Sequence, residues 1–193
     1  MYYGVYKGIR DGAWRCLADF EISCLPIDIL SIARRSGIRV MRNCIVNELG
    51  ENERGKSYFD GNEWMIIYDD SLEVAECRYA IAHELGHIFL GHSLYFDSNT
   101  GTERFKEDAV SEKHAEQFAK RLMCPACVIW ALEISSPDEL ERRFMVPKAV
   151  AKSRWERMKI LNKRNKFLTS EYERLVFKNF EDYILANRSY EEQ

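Results

Sequence analysis

The segment from Leu72 to Leu90 constrains the fold most, because it combines a helical hydrophobic pattern with two histidines four residues apart. Asp70 and Glu73 have the spacing of a capping box at its start. Its apolar residues recur at the spacing of one helix face: Ala80, Ile81, Leu85, Ile88 and Phe89. We therefore predict a helix that presents His83 and His87 on the same side, one turn apart.

Two imidazoles in this arrangement can hold one cation, and zinc is the usual metal at such sites. Glu84 points about 100° away from His83 around the helix, so it can reach a water bound to the metal rather than the metal itself. Zinc lowers the pKa of such a water to about 7, and a carboxylate can then take its proton during attack on a peptide carbonyl. The motif alone arises by chance in roughly one chain in a hundred. Gly86, which costs a helix interior about 1 kcal/mol, suggests close approach of another backbone or side chain.

A catalytic zinc needs a third protein ligand. A second helix is predicted from Asp108 to Met123, and it carries three candidates. Glu112 lies about 70° from the centre of its apolar face, Glu116 about 110° on the same side, and His114 about 90° on the other side. Glu112 is therefore the predicted ligand. Glu116 is the candidate that receives the N–H of a ligand imidazole, with a surface position equally open, and a surface position is favoured for His114.

Three further side chains near the motif are candidates for substrate or oxyanion binding. His92 follows the predicted helix, and a capping or surface role is favoured for it. Tyr79 and Tyr95 are close enough in sequence to donate to an oxyanion, but nothing in the sequence selects either one.

Composition and charge exclude several classes of protein. The 193 residues suit one domain with at most a small appendage, and a net charge of −3 indicates no polyanionic or membrane partner. The sequence has no signal-peptide pattern and no apolar run of membrane-spanning length, so we expect a cytoplasmic protein whose six cysteines are thiols. The Cys124-Pro125-Ala126-Cys127 motif follows a predicted helix and has no second copy, which favours two buried thiols over a redox pair or a zinc knuckle.

The remaining patterns predict an α+β fold, with strands before the motif and helices after it. A helix is predicted to start around Ser23 to Pro26, and residues 93–107 to form a loop. The predicted strands are Ile38–Val46, Ser57–Phe59 and Trp64–Tyr68, with a turn at Asp60–Asn62. The predicted later helices cover Pro137–Arg143, Pro147–Lys163 and Ser170–Ala186.

Residues 137–158 have the apolar spacing of a helix-turn-helix, and the second helix is basic. The spacing depends on Leu140, Phe144, Val146, Ala149 and Val150. Between Lys148 and Leu168 there are eight basic residues and one acidic residue. The two interpretations are a DNA-reading helix and a packed helical extension with a solvated basic face. The second is favoured, and specific DNA binding is not expected.

These motifs together resemble the ImmA/IrrE family of metallo-endopeptidases over most of residues 13–158. The resemblance is carried by Ala13–Leu17, Leu25–Asp28, Trp64–Ser71, Ile81–His87, Leu90–His92, Glu112–Ala119, Leu122–Pro125 and Ser136–Met158. Two positions depart from the family, which often has Glu where His114 stands and Asn or Asp where Glu116 stands.

The resemblance implies a thermolysin-like, zincin-like domain over residues 1–130, with a small antiparallel sheet and an active-site helix. A helical region would follow over residues 131–193. It also implies zinc held by His83, His87 and Glu112, with Glu84 as general base. Family members typically cleave a partner helix-turn-helix repressor of a mobile element or stress operon, so such a protein is the expected partner.

The sequence therefore predicts a zinc-dependent, site-specific endopeptidase that acts on a cytosolic protein. One alternative is a non-catalytic regulator that binds DNA or a repressor through its basic C-terminal helices. A second alternative is a zinc hydrolase of small substrates.

Overall fold

The computed structural model describes residues 3–106 and 108–188, which form two compact units. We call residues 28–119 the site unit, and residues 1–27 with 120–193 the helical unit. The strands are β1 (Ile38–Arg42), β2 (Gly55–Phe59), β3 (Trp64–Tyr68), β4 (Leu94–Asp97) and β5 (Thr102–Phe105). The helices are α1 (Tyr3–Asp19), α2 (Ile29–Arg35), α3 (Asn43–Val46), α4 (Val74–Phe89), α5 (Ala109–Met123), α6 (Ala126–Ala131), α7 (Pro137–Phe144), α8 (Lys148–Arg164), α9 (Glu171–Asn179) and α10 (Glu181–Asn187).

The site unit is built on a five-stranded sheet of order β1-β3-β2-β5-β4. Its pairs are antiparallel except β1 with β3, which is parallel. Met65, Ile66 and Ile67 of β3 are all buried, as expected for an inner strand that is covered on both faces. Helix α4 lies against β2 and β3. The α+β class is confirmed, and so are the β2–β3 hairpin and the two helices that carry the predicted site.

Four predictions in the site unit are wrong, two of them at the boundaries of an element. The helix near Pro26 begins only at Ile29, where Asp28 accepts the N–H of Ser31 at 2.9 Å. The first strand ends at Arg42, because Asn43 accepts the N–H groups of Glu48 and Leu49 and turns the chain.

The capping box is the third error. Asp70 accepts the N–H of Cys44 at 2.9 Å, and Glu73 is the N-cap of α4 without a side-chain cap bond. The fourth is the expected loop at 93–107, most of which forms the β4–β5 hairpin. Its turn is closed by Gly101, which has φ +70 and donates its N–H to the Asp97 carbonyl at 2.8 Å. Glu107 lies outside the described residues.

The helical unit contains α1, the last turn of α5, and α6 to α10. Helices α7 and α8 pack together at the predicted helix-turn-helix, and Met145 occupies the left-handed turn between them with φ 50. Leu140, Phe144, Val146 and Val150 are buried as predicted, but Ala149 is exposed.

The predicted C-terminal helix is divided in two at Phe180, which is fully buried and has φ −89 and ψ 0. Helices α1 and α6 were not predicted. Among the described residues, no helix is both long enough and apolar enough to span a membrane.

Candidate metal centre

The candidate site lies where α4 approaches α5, and Gly86 makes that approach possible. A Cβ atom at Gly86 would lie 3.0 Å from the Cα atom and from the carbonyl oxygen of Ala115. Contacts this short are tighter than nearly all real Cβ contacts, so a side chain at residue 86 would require the backbone of Ala115 to move away by a few tenths of an ångström. The close approach that the sequence suggested for this glycine is confirmed. It brings the histidine face of α4 close to the first turn of α5, where Glu112 lies.

His83, His87 and Glu112 converge on one point. The Nε2 atoms of the two histidines are 3.1 Å apart. Glu112 Oε2 lies 3.1 Å from His83 Nε2, and Glu112 Oε1 lies 3.3 Å from His87 Nε2. His87 is nearly buried, whereas the Glu112 side chain is 51% exposed, so the cluster faces outward at one side. The structure therefore brings together the three residues that the resemblance implies as ligands, and their role as ligands stays a prediction.

The donor set fits a divalent cation such as zinc. Ligands about 2.1 Å from a tetrahedral zinc are separated from one another by about 3.4 Å. The three separations of 3.1, 3.1 and 3.3 Å are close to that value. Two imidazole nitrogens and one carboxylate are also a ligand set that catalytic zinc sites use, with one further position left for water or substrate.

Electrostatics favour the ligand forms of two of these groups. Burial and the neighbouring His83 lower the pKa of His87 to about 4, so its ring is neutral at pH 7. The hydrogen bond with His83 lowers the pKa of Glu112, which is therefore ionised. Burial works to lower the pKa of His83, but the bond with Glu112 and the charge of Glu84 outweigh burial and raise it. An imidazole binds a metal in its neutral form, so a cation at this point would compete with a proton for His83.

Glu84 lies beside this cluster but is not part of it. Its side chain is buried against β2, where the Ser57 hydroxyl donates to Glu84 Oε2 at 2.6 Å. Burial raises the pKa of Glu84, partly offset by His83 and Ser57. A raised pKa makes a carboxylate a stronger base, as general-base catalysis requires. Ser57 was missed from the sequence, because it is 27 residues away from Glu84 and no local pattern links the two.

His92 contacts a predicted ligand and also caps α4: its backbone N–H donates to the His87 carbonyl at 3.2 Å, so the favoured capping role is confirmed. Its Nδ1 atom lies 3.0 Å from Nδ1 of His87, and its side chain is half-buried. If His87 binds a cation through Nε2, its Nδ1–H donates a hydrogen bond to Nδ1 of His92. In that state His92 would hold the orientation of the His87 ring. The signal available in the sequence was its position five residues after His87, just beyond the end of α4.

A cleft of about 910 Å³ opens over the cluster. Tyr79 and Tyr95 both line it, so the choice between them remains open. Glu116 also lines it, and the charge of Glu116 contributes to the raised pKa of His83. The role predicted for Glu116, receiving an imidazole N–H, stays a prediction. His114 is half-buried, with its ring centroid 6.0 Å from that of His92.

Strand β2 forms one wall of this cleft. Residues from Gly55 to Tyr58 line it, but β5 pairs with β2 only at Tyr58 and Phe59. Within the described sheet, the start of β2 is therefore paired on one side only, by β3. An extended backbone can add to such an edge as a further strand.

The Cys-x-x-Cys motif plays no part in this centre. Cys124 and Cys127 are fully buried thiols in the helical unit, as predicted. Burial also raises the pKa of Cys127, so it is an unreactive thiol at neutral pH.

The mixed fold and the histidine–glutamate cluster define the class of protein as a metallopeptidase. Comparison with known families agrees, since the IrrE N-terminal-like domain of peptidase family M78 matches residues 33–156. The match covers well over half of the chain and includes all three clustered residues, so the chain belongs to this family. A search of curated proteins found no significant match.

Proposed function

We propose that this protein is a zinc-dependent, site-specific endopeptidase that cleaves a cytosolic protein, namely a helix-turn-helix transcriptional repressor. The observation that carries the proposal is the convergence of His83, His87 and Glu112 beside the buried carboxylate of Glu84. The repressor and the cytosolic setting are supported by the family resemblance alone.

In this mechanism, His83, His87 and Glu112 hold the cation. The cation, when bound, acts as a Lewis acid that polarises the scissile carbonyl and acidifies water. Glu84 takes the proton of the attacking water on its carboxylate and returns it to the nitrogen of the leaving amine. Ser57 holds one carboxylate oxygen, so that Glu84 keeps a fixed orientation while the proton moves.

The edge of β2 is the proposed binding site for the substrate backbone. An extended segment that pairs with residues 55–57 would run along the cleft past Glu84. The Ser57 hydroxyl donates to that side chain, and a Cβ atom at Gly55 would lie 3.5 Å from its Cγ atom. This favours a polypeptide substrate over the small substrates of the alternative zinc hydrolase, because strand addition requires a continuous backbone.

The test is incubation of the purified protein with the helix-turn-helix protein encoded beside it, followed by mass spectrometry. The expected result is one defined pair of fragments, lost on chelation and restored by zinc. Fragments that persist unchanged after complete removal of the metal would contradict the proposal.

A further inference from the structure

The helical unit contains a cavity of about 60 Å³ with a strongly cationic lining. We call it the arginine cavity. Among the described lining residues, five are cationic and one is a carboxylate: Arg10, Arg121, Arg154, Arg157, Lys166 and Glu173. Three of the cations belong to the basic stretch that the sequence analysis treated as a solvated face. Arg154 is instead 5% exposed and Arg157 is half-buried, so part of that stretch faces inward.

The arginines are crowded around one aromatic ring. The guanidinium carbon of Arg121 lies 4.4 Å from the ring centroid of Tyr6, and that of Arg157 lies 5.2 Å from the same centroid. Arg154 donates through Nε to the Cys124 carbonyl at 2.8 Å. Arg10 is paired with Asp11 at 2.9 Å. The aromatic ring beside Arg157 and the carbonyl that accepts from Arg154 stabilise these two guanidinium groups but do not cancel their charge. Like charges that share a weakly solvated site repel one another, which favours an anion among them.

The positive charge of the cavity lining shifts the pKa values of neighbouring groups. Burial and the neighbouring Arg121 lower the pKa of Arg154 to about 10. Burial works to raise the pKa of Tyr6, but the charges of Arg121, Arg157 and Arg154 outweigh it and lower that pKa. Burial raises the pKa of Glu173, and its Oε2 already accepts the N–H of Thr169 at 3.0 Å, so part of this carboxylate's hydrogen-bonding capacity is used within the chain.

Two hydrogen-bond donors of the lining lack acceptors. The Trp14 side chain is 4% exposed, and its Nε1 is buried without a partner among the described residues. The Nε atom of Arg157 is in the same condition. Buried donors in folded proteins are nearly always satisfied, so two in one cavity indicate an acceptor that the chain itself does not supply. They belong to different helices, α1 and α8.

We propose that the arginine cavity binds a phosphate group. A cavity needs about 10 to 15 Å³ to admit a single water, so one of about 60 Å³ has room for a small polyatomic anion. Arginine forks match phosphate oxygens, and the excess of cations suits a dianion better than a single carboxylate. Lys166 and Thr169 are exposed residues of the lining, where a phosphate carried on a larger molecule would leave the cavity.

The test is a titration of the full chain with inorganic phosphate, against chloride at equal ionic strength. Thermal unfolding and ³¹P line broadening are the two readouts. The wild type should show a saturable rise in Tm, because a ligand that binds the folded state stabilises it. Arg157→Gln should weaken binding by about tenfold or more, since it removes charged hydrogen bonds. Lys163→Gln, an exposed change on the same helix outside the cavity lining, should bind phosphate like the wild type.

A parallel titration with adenosine monophosphate distinguishes the two sources of the group. Tighter binding of the nucleotide supports a phosphate carried on a larger body, and tighter binding of inorganic phosphate supports the free ion. Trp14→Phe removes the indole N–H, together with part of the ring, without removing a charge, and it should weaken binding as well. This variant keeps the test available if circular dichroism shows that Arg157→Gln does not fold. If phosphate binding by the wild type does not saturate, or if Trp14→Phe and Arg157→Gln both bind phosphate as tightly as the wild type does, the proposal is overturned.

Discussion

The two clusters of ionisable groups in this protein differ in how their charges are balanced. In the metal centre, Glu112 contacts both His83 and His87 within 3.3 Å, so acidic and basic groups face each other around one point. In the lining of the arginine cavity there are five cations and one carboxylate, and two buried donors have no acceptor within the part of the chain that the structure describes. The first arrangement is suited to a cation and the second to an anion. The balance of charge, rather than the number of charged residues, indicates what each cluster binds.

The largest effect is expected at the metal centre, from Glu84→Gln. Glutamine keeps the size and the hydrogen bond to Ser57 but cannot take a proton, so cleavage should fall by about 10² to 10⁴. Zinc content and the unfolding midpoint should not change, because Glu84 is not among the three converging residues. The measurement is fragment formation from the partner protein over time.

The matched control for this change is Glu73→Gln. Glu73 is exposed, and it begins the same helix without making a side-chain cap bond. Its cleavage rate should equal that of the wild type. An undiminished rate in Glu84→Gln, with contaminating protease excluded, would remove general-base catalysis by this residue from the account.

A glycine-to-alanine substitution should destabilise the protein at Gly86, in the site unit, and stabilise it at Gly8, in the helical unit. Gly86→Ala should destabilise by about 1 to 3 kcal/mol, because its Cβ would meet the backbone of Ala115. Gly8→Ala, inside α1 and with open space around it, should stabilise by up to about 1 kcal/mol through helix propensity. The measurement is urea unfolding of both variants and the wild type, from which the change in the free energy of unfolding is obtained. A neutral Gly86→Ala would show that α4 and α5 are not as close as described.

A smaller loss is expected from Ser57→Ala, which removes the hydroxyl that holds Glu84. We expect kcat to fall roughly tenfold, the equivalent of one hydrogen bond to a charged group, with little change in KM. Ser57→Thr keeps a hydroxyl and should retain more activity than Ser57→Ala. Ser98→Ala, an exposed serine between β4 and β5, should have no effect. A loss confined to KM would assign Ser57 to substrate binding instead.

The smallest effect is expected when DNA is added to the protein, because the helical unit should bind it only weakly. Six cations of the basic stretch are exposed: Lys148, Lys152, Lys159, Lys163, Arg164 and Lys166. Phosphate contacts by such residues give binding of about micromolar affinity or weaker, with a steep salt dependence and no sequence preference. Fluorescence anisotropy at physiological salt is the measurement. A nanomolar, sequence-selective complex would favour the alternative of a DNA-binding regulator.

How much the sequence predicts depends on how local each feature is. The pairing of His83 with His87 follows from one helix, and the position of Glu112 follows from the periodicity of a second helix. The contact of Ser57 with Glu84 joins a strand to a helix, and sequence spacing carries no record of it. The arginine cavity is more distributed still, because Tyr6, Arg121 and Arg157 come from three helices. The β4–β5 hairpin was missed because its four-residue strands are too short to establish a period.

Metal analysis of two single variants tests the central claim most directly. The wild type should purify with about one zinc per chain, held by His83, His87 and Glu112. Glu112→Gln removes a ligand and should lose most of the bound metal, whereas Glu116→Gln should weaken affinity by no more than about 10- to 100-fold. Zinc retained in Glu112→Gln but lost from Glu116→Gln would contradict the assignment of the site.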